Sequence, residues 1–193
     1  MKIDAKGKAC PIPVIMAKKE LDKGTQDLSI VVDGDTQVQN LKRLGDSYGR
    51  KISASPEGDK MLVTFEDGDG TIPDTAHSYS EGSFAIFFNK QGVGTGDDEL
   101  AQNLGKMAIY TLSEGENIPS YICFMNGGVK LTTGIVPQIV EDLKTLEEKG
   151  TKILVCGTCL NYFDMSDKCQ VGTVSNMYDI LTALEDVEKV ITM

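Results

Sequence analysis

Apolar positions recur with two periods along this chain, and the way those periods alternate divides it in two. In the first third, Val14, Ala17 and Leu21 fall at i, i+3 and i+7 and predict a helix that closes at Gly24. The unbroken apolar run Leu28-Ser29-Ile30-Val31-Val32 predicts a strand, and Asp33-Gly34-Asp35-Thr36 then turns into a second helix with Val38, Leu41 and Leu44 on one side. Residues 51–55 and 60–65 alternate in character around Pro56-Glu57-Gly58-Asp59, the pattern of a hairpin. With a first strand ahead of the first helix, the order is β-α-β-α-β-β. Two helices over a four-stranded sheet make a small two-layer sandwich.

From residue 83 the pattern changes. Residues 83–88, 121–125 and 152–155 are short apolar runs suited to strands covered on both faces. Between them lie helical patterns carried by Leu100, Leu104, Met107 and Ala108, and by Ile139, Leu143 and Leu146. A further helix uses Met177, Ile180, Leu181 and Leu184, and residues 187–192 predict a closing strand. Strands alternating with helices imply a parallel α/β sheet. The stretch from 67 to 82 is rich in glycine and acid and breaks both patterns, so the expected organisation is a domain at 1–66, a flexible linker at 67–82 and a second domain at 83–193. A linker of that length would hold one domain near the other at roughly millimolar effective concentration.

Composition narrows the function classes. The formal net charge of −10 over 193 residues, without a basic run, argues against binding a nucleic-acid backbone. No apolar run is long enough for a membrane span and the start lacks a secretory h-region, so the expectation is a cytoplasmic protein with no membrane partner. Five cysteines, an odd number and unevenly spread, favour reactive or metal-binding thiols over a disulfide scaffold.

Cys10 is the most suggestive of them. In Lys8-Ala9-Cys10-Pro11-Ile12-Pro13-Val14, Pro11 suits the first position of the helix, which leaves Cys10 at or near the N-cap with its sulfur facing the positive helix end. That placement favours thiolate, the nucleophilic form, although Pro13 removes a further donor from the same turn. In the second domain three loops leave the carboxyl ends of consecutive strands, where open α/β sheets bind ligands. They are Gly92-Val93-Gly94-Thr95-Gly96, Asn126-Gly127-Gly128 and Cys156-Gly157-Thr158-Cys159, and they are expected to share one rim. Pro11 and Pro13, together with Gly94, Gly128 and Gly157, are the candidate substrate-contacting positions.

The CxxC spacing of Cys156 and Cys159 allows one thiolate to attack and the other to resolve. Zinc would need two more ligands, drawn from Cys169 and either His77 or Cys10, and no second CxxC exists, so no metal is expected. A dinucleotide reading of the glycine loop fails on spacing and on Asp97-Asp98-Glu99 at the helix start, so no cofactor is expected either. Cys123, between Ile122 and Phe124, reads as a core residue, Cys169 is ambiguous, and His77 reads as a solvated linker residue.

Two resemblances follow from these residues. Residues 4–13, with Cys10-Pro11-Ile12-Pro13 at the head of the first helix, resemble the TusA/SirA-like sulfur carriers, which implies that Cys10 carries sulfur as a persulfide. The glycine loop running into Glu99-Leu100, residues 156–163 and residues 171–178 resemble the DsrE-like family of flavodoxin-like sulfur-transfer proteins, in which Cys156 is the best match to the active position. The fusion of the two is similar to the YedF family, associated with selenium metabolism and sulfurtransferase-like. The resemblance implies a sulfur or selenium relay from Cys10 to Cys156 or Cys159, a cysteine desulfurase or selenium donor upstream, and an acceptor protein downstream. DsrE-like relatives often assemble, so a homo-oligomer stays open. The alternatives are a dithiol–disulfide redox protein working through Cys156 and Cys159, and a docking or regulatory protein without turnover.

Overall fold

The computed structural model describes residues 1–66 and 83–193, which lie in two compact units. The stretch expected to be a flexible linker, with His77 in it, lies outside the described residues.

The first unit runs β1 (Lys2–Asp4), α1 (Ile12–Asp22), β2 (Leu28–Val32), α2 (Asp35–Ser47), β3 (Ile52–Glu57) and β4 (Lys60–Phe65). Its sheet order is β1-β2-β4-β3, with β1 parallel to β2 and the other neighbours antiparallel. The α/β two-layer form anticipated from the periodicity is the one observed. Leu28, Ile30 and Val32 alternate inward from β2 and meet Ala17 and Leu21 of α1 and Leu41 of α2, all buried. The hairpin turn is tighter than its sequence suggested, because Glu57 pairs with Lys60 across only Gly58 and Asp59, and Gly58 takes a left-handed φ of +68°. At the far end of the helices the Tyr48 hydroxyl hydrogen-bonds the Asp22 carboxylate, tying the residue after α2 to the end of α1. Burial, and then that carboxylate, push the Tyr48 phenol up to about 12.

One detail differs from expectation. The first helix begins at Ile12 and not at Pro11. Pro11 is the N-cap, with φ −94° and ψ 7°, Pro13 lies inside the first turn, and Cys10 falls one residue outside the cap. The Ile12 N–H is taken by the Ala9 carbonyl at 3.0 Å, so a turn over residues 9–12 precedes the helix.

The second unit runs β5 (Phe84–Phe88), α3 (Asp98–Glu114), β6 (Tyr121–Phe124), a 3-10 turn (Asn126–Thr132), α4 (Pro137–Glu148), β7 (Lys152–Cys156), α5 (Gly157–Tyr162), β8 (Thr173–Ser175), α6 (Met177–Glu185) and β9 (Lys189–Thr192). All five strands are parallel, in the order β8-β7-β6-β5-β9, and helices flank the sheet in a flavodoxin-like α/β arrangement. The core is built from Ile86, Phe88, Ile122, Phe124, Leu143 and Leu146 among others, and Phe88 and Phe124 stack with centroids 5.3 Å apart.

Two helices present a different side to the core than their sequence pattern suggested. In α3 the buried positions are Gly105, Ile109 and Ser113, while Leu100 and Leu104 are exposed. The reason is close backbone packing. A Cβ on Gly105 would lie 3.1 Å from the Gly92 Cα, and one on Gly92 would lie 2.4 Å from the Ala101 carbonyl, so two glycines let the loop after β5 lie directly on the helix. In α6 the buried pair is Ile180 and Ala183, while Met177 and Leu181 face outward.

Candidate functional site

In the first unit the segment carrying Cys10 is held from below. The Ala5 N–H bonds the Val31 carbonyl at 3.0 Å, the Gly7 N–H donates to the Asp33 carboxylate at 2.7 Å, and Lys60 reaches the same carboxylate at 3.1 Å. Lys60 first, and the Gly7 N–H second, hold the Asp33 carboxyl below its usual range. From the side the segment meets α2. The Gln37 amide donates to the Lys8 carbonyl at 3.4 Å, and Asn40 Nδ2 donates to Cys10 Sγ at 3.1 Å. Asn40 is in turn held by Arg43, whose Nη1 donates to Oδ1 at 2.9 Å. Cys10 is a half-buried free thiol with one amide donor on its sulfur, and that donor comes from the second helix, not from the helix whose N-terminus it precedes.

In the second unit the three loops after β5, β6 and β7 do come together. A Cβ on Gly127 would sit 3.4 Å from the Gln91 nitrogen, and one on Gly128 would overlap the Phe88 carbonyl at 2.2 Å, so the glycines let the loop after β6 cross the end of β5. Asn126, at the head of that loop, has a left-handed φ of 46° and donates its backbone N–H to Cys159 Sγ at 3.1 Å. The loop expected between Cys156 and Cys159 is in fact the first turn of α5, with Cys156 as the N-cap ending β7 and Cys159 on the third helical position.

This geometry separates the two thiols. Cys156 is 2% exposed and belongs to the core, whereas Cys159 is half-buried on the rim. Burial, followed by the hydrogen bond to the Cys156 thiol, pushes Cys159 up, and the Asn126 N–H partly opposes them. Cys156 thus stands behind Cys159, within reach of it but screened from solvent.

The other candidate positions fall into place around these. Pro11 is half-exposed beside Cys10, and Pro13 is buried in the helix. Gly94 is exposed, with φ +83°, and its carbonyl accepts from Lys90 at 3.4 Å. Gly128 is buried against Phe88, and a Cβ on Gly157 would lie 3.1 Å from Val174. At Gly128 the close neighbour is the Phe88 backbone, and at Gly157 it is the Val174 side chain. Burial pushes Cys123 up to about 11. Cys169 donates to the Val171 carbonyl at 3.3 Å and sits 3.5 Å from the Thr132 hydroxyl, anchoring its loop to the 3-10 turn. Among the described residues no group of three His, Cys, Asp or Glu side chains is placed to hold a metal ion, and no helix is long and apolar enough to cross a membrane.

Comparison with known proteins adds to this geometry. Residues 1–67 match the family described as sulfurtransferase TusA, and residues 83–193 match the DsrE/DsrF-like family. Among solved structures, a SirA-like protein from Desulfitobacterium hafniense is 33% identical over 35% of this chain and 97% of its own, with a TM-score of 0.33. The YchN protein from E. coli is 18% identical over 57% of this chain and 99% of its own, with a TM-score of 0.43. No curated protein matches the chain.

Proposed function

From its membership of the DsrE/DsrF-like family through residues 83–193, behind a TusA domain at residues 1–67, we propose that this chain carries sulfur from Cys10 to Cys159. Both families are sulfur-relay proteins, and what supports the finer reading is one shared feature. Each unit offers a half-exposed free thiol whose sulfur accepts a single N–H at 3.1 Å, from Asn40 Nδ2 in one and from the Asn126 backbone in the other. An N–H donor stabilises sulfur when it is anionic, which is the state a sulfur passes through on each side of a persulfide exchange.

The chemistry needs no metal and no change in overall oxidation level. The Cys10 thiolate attacks the outer sulfur of a donor persulfide, supplied by a cysteine desulfurase or a similar protein. A new S–S bond forms at Cys10, and the donor leaves as a thiolate. In the second step the Cys159 thiolate attacks the outer sulfur on Cys10. That S–S bond breaks, the electron pair returns to Cys10 Sγ, and Cys159 now holds the persulfide for an acceptor protein. A selenium donor would load Cys10 by the same route, as a selenenylsulfide.

A second reading, a dithiol redox protein, draws on the proximity of Cys156 to Cys159. In that reading the two thiols exchange with a disulfide of a partner protein, which is reduced to two thiols as the Cys156–Cys159 disulfide forms, without Cys10.

Incubation of the full chain with a cysteine desulfurase and cysteine, followed by intact-mass measurement, tests the proposal. The native chain is expected to gain sulfur that enters at Cys10 and is recovered on Cys159. Cys10→Ala should abolish loading, and Cys159→Ser should leave the sulfur trapped on Cys10. Loading of Cys10→Ala at the native rate would overturn the carrier reading.

A further inference from the structure

We propose that Asn40 is a catalytic hydrogen-bond donor to the Cys10 sulfur, and that Arg43 is the residue that positions it. The role in sulfur transfer rests on the carrier reading above; the effect on the thiol itself does not.

The partners of the Asn40 amide fix which of its ends faces the sulfur. Amide oxygen and nitrogen are assigned from their partners, and here the partner leaves no choice. A guanidinium carries only donors, so the atom facing Arg43 Nη1 at 2.9 Å is the oxygen. The NH2 group therefore faces Cys10 Sγ, at 3.1 Å. Arg43 stands three residues after Asn40 on α2, the spacing at which two side chains of one helix meet on the same face. The arrangement is thus a short relay, from guanidinium to amide to sulfur, carried on one rigid element and aimed at a thiol in the turn before another.

An amide N–H directed at a sulfur discriminates between its charge states. It is a weak partner for a neutral thiol and a stronger one for a thiolate, because hydrogen bonds to ions are shorter and stronger than those between neutral groups. In both half-reactions the atom that bears the negative charge is Cys10 Sγ, first as the attacking thiolate and later as the leaving group when its bond to the outer sulfur breaks. One fixed donor at that atom therefore serves loading and discharge alike. Arg43 hydrogen-bonds the amide oxygen, which polarises the N–H on the other side and prevents the amide from turning its oxygen toward the sulfur. Asn40 Oδ1 beside a thiolate would repel it.

The test follows the Cys10 thiol in the full chain without changing any cysteine. The protein is alkylated with iodoacetamide, digested with trypsin, and the Ala9–Lys18 peptide, whose single cysteine is Cys10, is quantified over time and over pH. Weaker stabilisation of a thiolate lowers its population but raises its intrinsic nucleophilicity, so the net change below the midpoint is smaller than the equilibrium change. Asn40→Asp, which places a carboxylate at the sulfur, should slow alkylation at about pH 7 by about fivefold, with the profile displaced toward alkali and an undiminished plateau above about pH 10. Arg43→Ala, on an exposed residue, should give a smaller change of the same form, about twofold.

The form of the profile decides the outcome. If both variants alkylate at the native rate at neutral pH, or if they are slowed by the same factor at every pH as a purely steric change would do, the assignment is wrong. If Asn40→Asp does not fold, Arg43→Ala alone decides by the same criterion. Failure of sulfur loading in the native chain, with the alkylation profiles moving as expected, would remove the carrier reading and leave the Asn40 assignment standing.

Discussion

At the scale of single residues, the contrast between Cys156 and Cys159 has a measurable consequence. Burial and the Cys156 thiol both hold Cys159 in its protonated form, so at neutral pH less of it is thiolate than in an isolated cysteine. Replacing Cys156 by alanine removes the second of these causes. Alkylation of Cys159 in Cys156→Ala is therefore expected to be faster than in the parent at about pH 7–8, by about two- to fivefold, and to converge with the parent at high pH. Peptide-resolved mass spectrometry would read it, and a slower Cys159 in that variant would contradict the assigned cause. The chemical types at these positions were legible from the sequence, since a cysteine ahead of a proline-rich helix start and a CxxC at a strand end each suggest reactive sulfur. Their neighbours were not. Asn40 lies 30 positions from Cys10, and an Asn-Arg pair at i, i+3 on a helix is common enough to carry no signal of its own. The Asn126 contribution is a backbone N–H, which no side-chain pattern can advertise.

At the scale of elements, the site depends on a short irregular stretch, the turn from Asn126 to Gly128. Asn126 aims its N–H at sulfur because its backbone is left-handed, a region that asparagine tolerates, glycine prefers and β-branched residues avoid. Asn126→Gly should keep the stability within about 0.5 kcal/mol of the parent and leave Cys159 reactivity unchanged. Asn126→Val should cost about 2 kcal/mol and displace the N–H, slowing Cys159 alkylation at neutral pH. Thermal melting and peptide-resolved alkylation of the two variants check the pair, and a valine variant with native reactivity would show that the N–H is not what acts on the sulfur. Elements with long periodic patterns were readable in advance, as in α4, where Ile139, Leu143 and Leu146 are all buried. The short ones were not. β8 has three residues, too few to display a period, and α5 begins with Gly157 and Thr158, both poor helix formers, where a loop was the natural expectation. In α3 the pattern of leucines was outweighed by two glycines that brought backbone against backbone.

At the scale of the whole molecule, charge and cohesion divide between the two units. Residues 1–66 hold eleven Lys and Arg against ten Asp and Glu, whereas residues 83–193 hold eight against fifteen, so much of the acidity indicated by the isoelectric point of about 4.6 belongs to the second unit. Each unit also has its own buried apolar cluster. Leu41→Ala, at a fully buried position in the first, should cost about 3 kcal/mol and lower the melting temperature of that unit by more than about 10 °C. Gly128→Ala should cost about 2 kcal/mol in the second, where the added carbon would overlap the Phe88 carbonyl. Calorimetry on the two variants should show each loss in the transition of its own unit; an equal fall in both transitions from either change would contradict separate cores. The second unit also contains its own stopwatch. Cys123, wholly enclosed in the middle of β6, can be labelled only in molecules whose central sheet has come apart, so the ratio of its labelling rate to that of a free thiol reads the free energy of that opening directly, in unmodified protein and without denaturant.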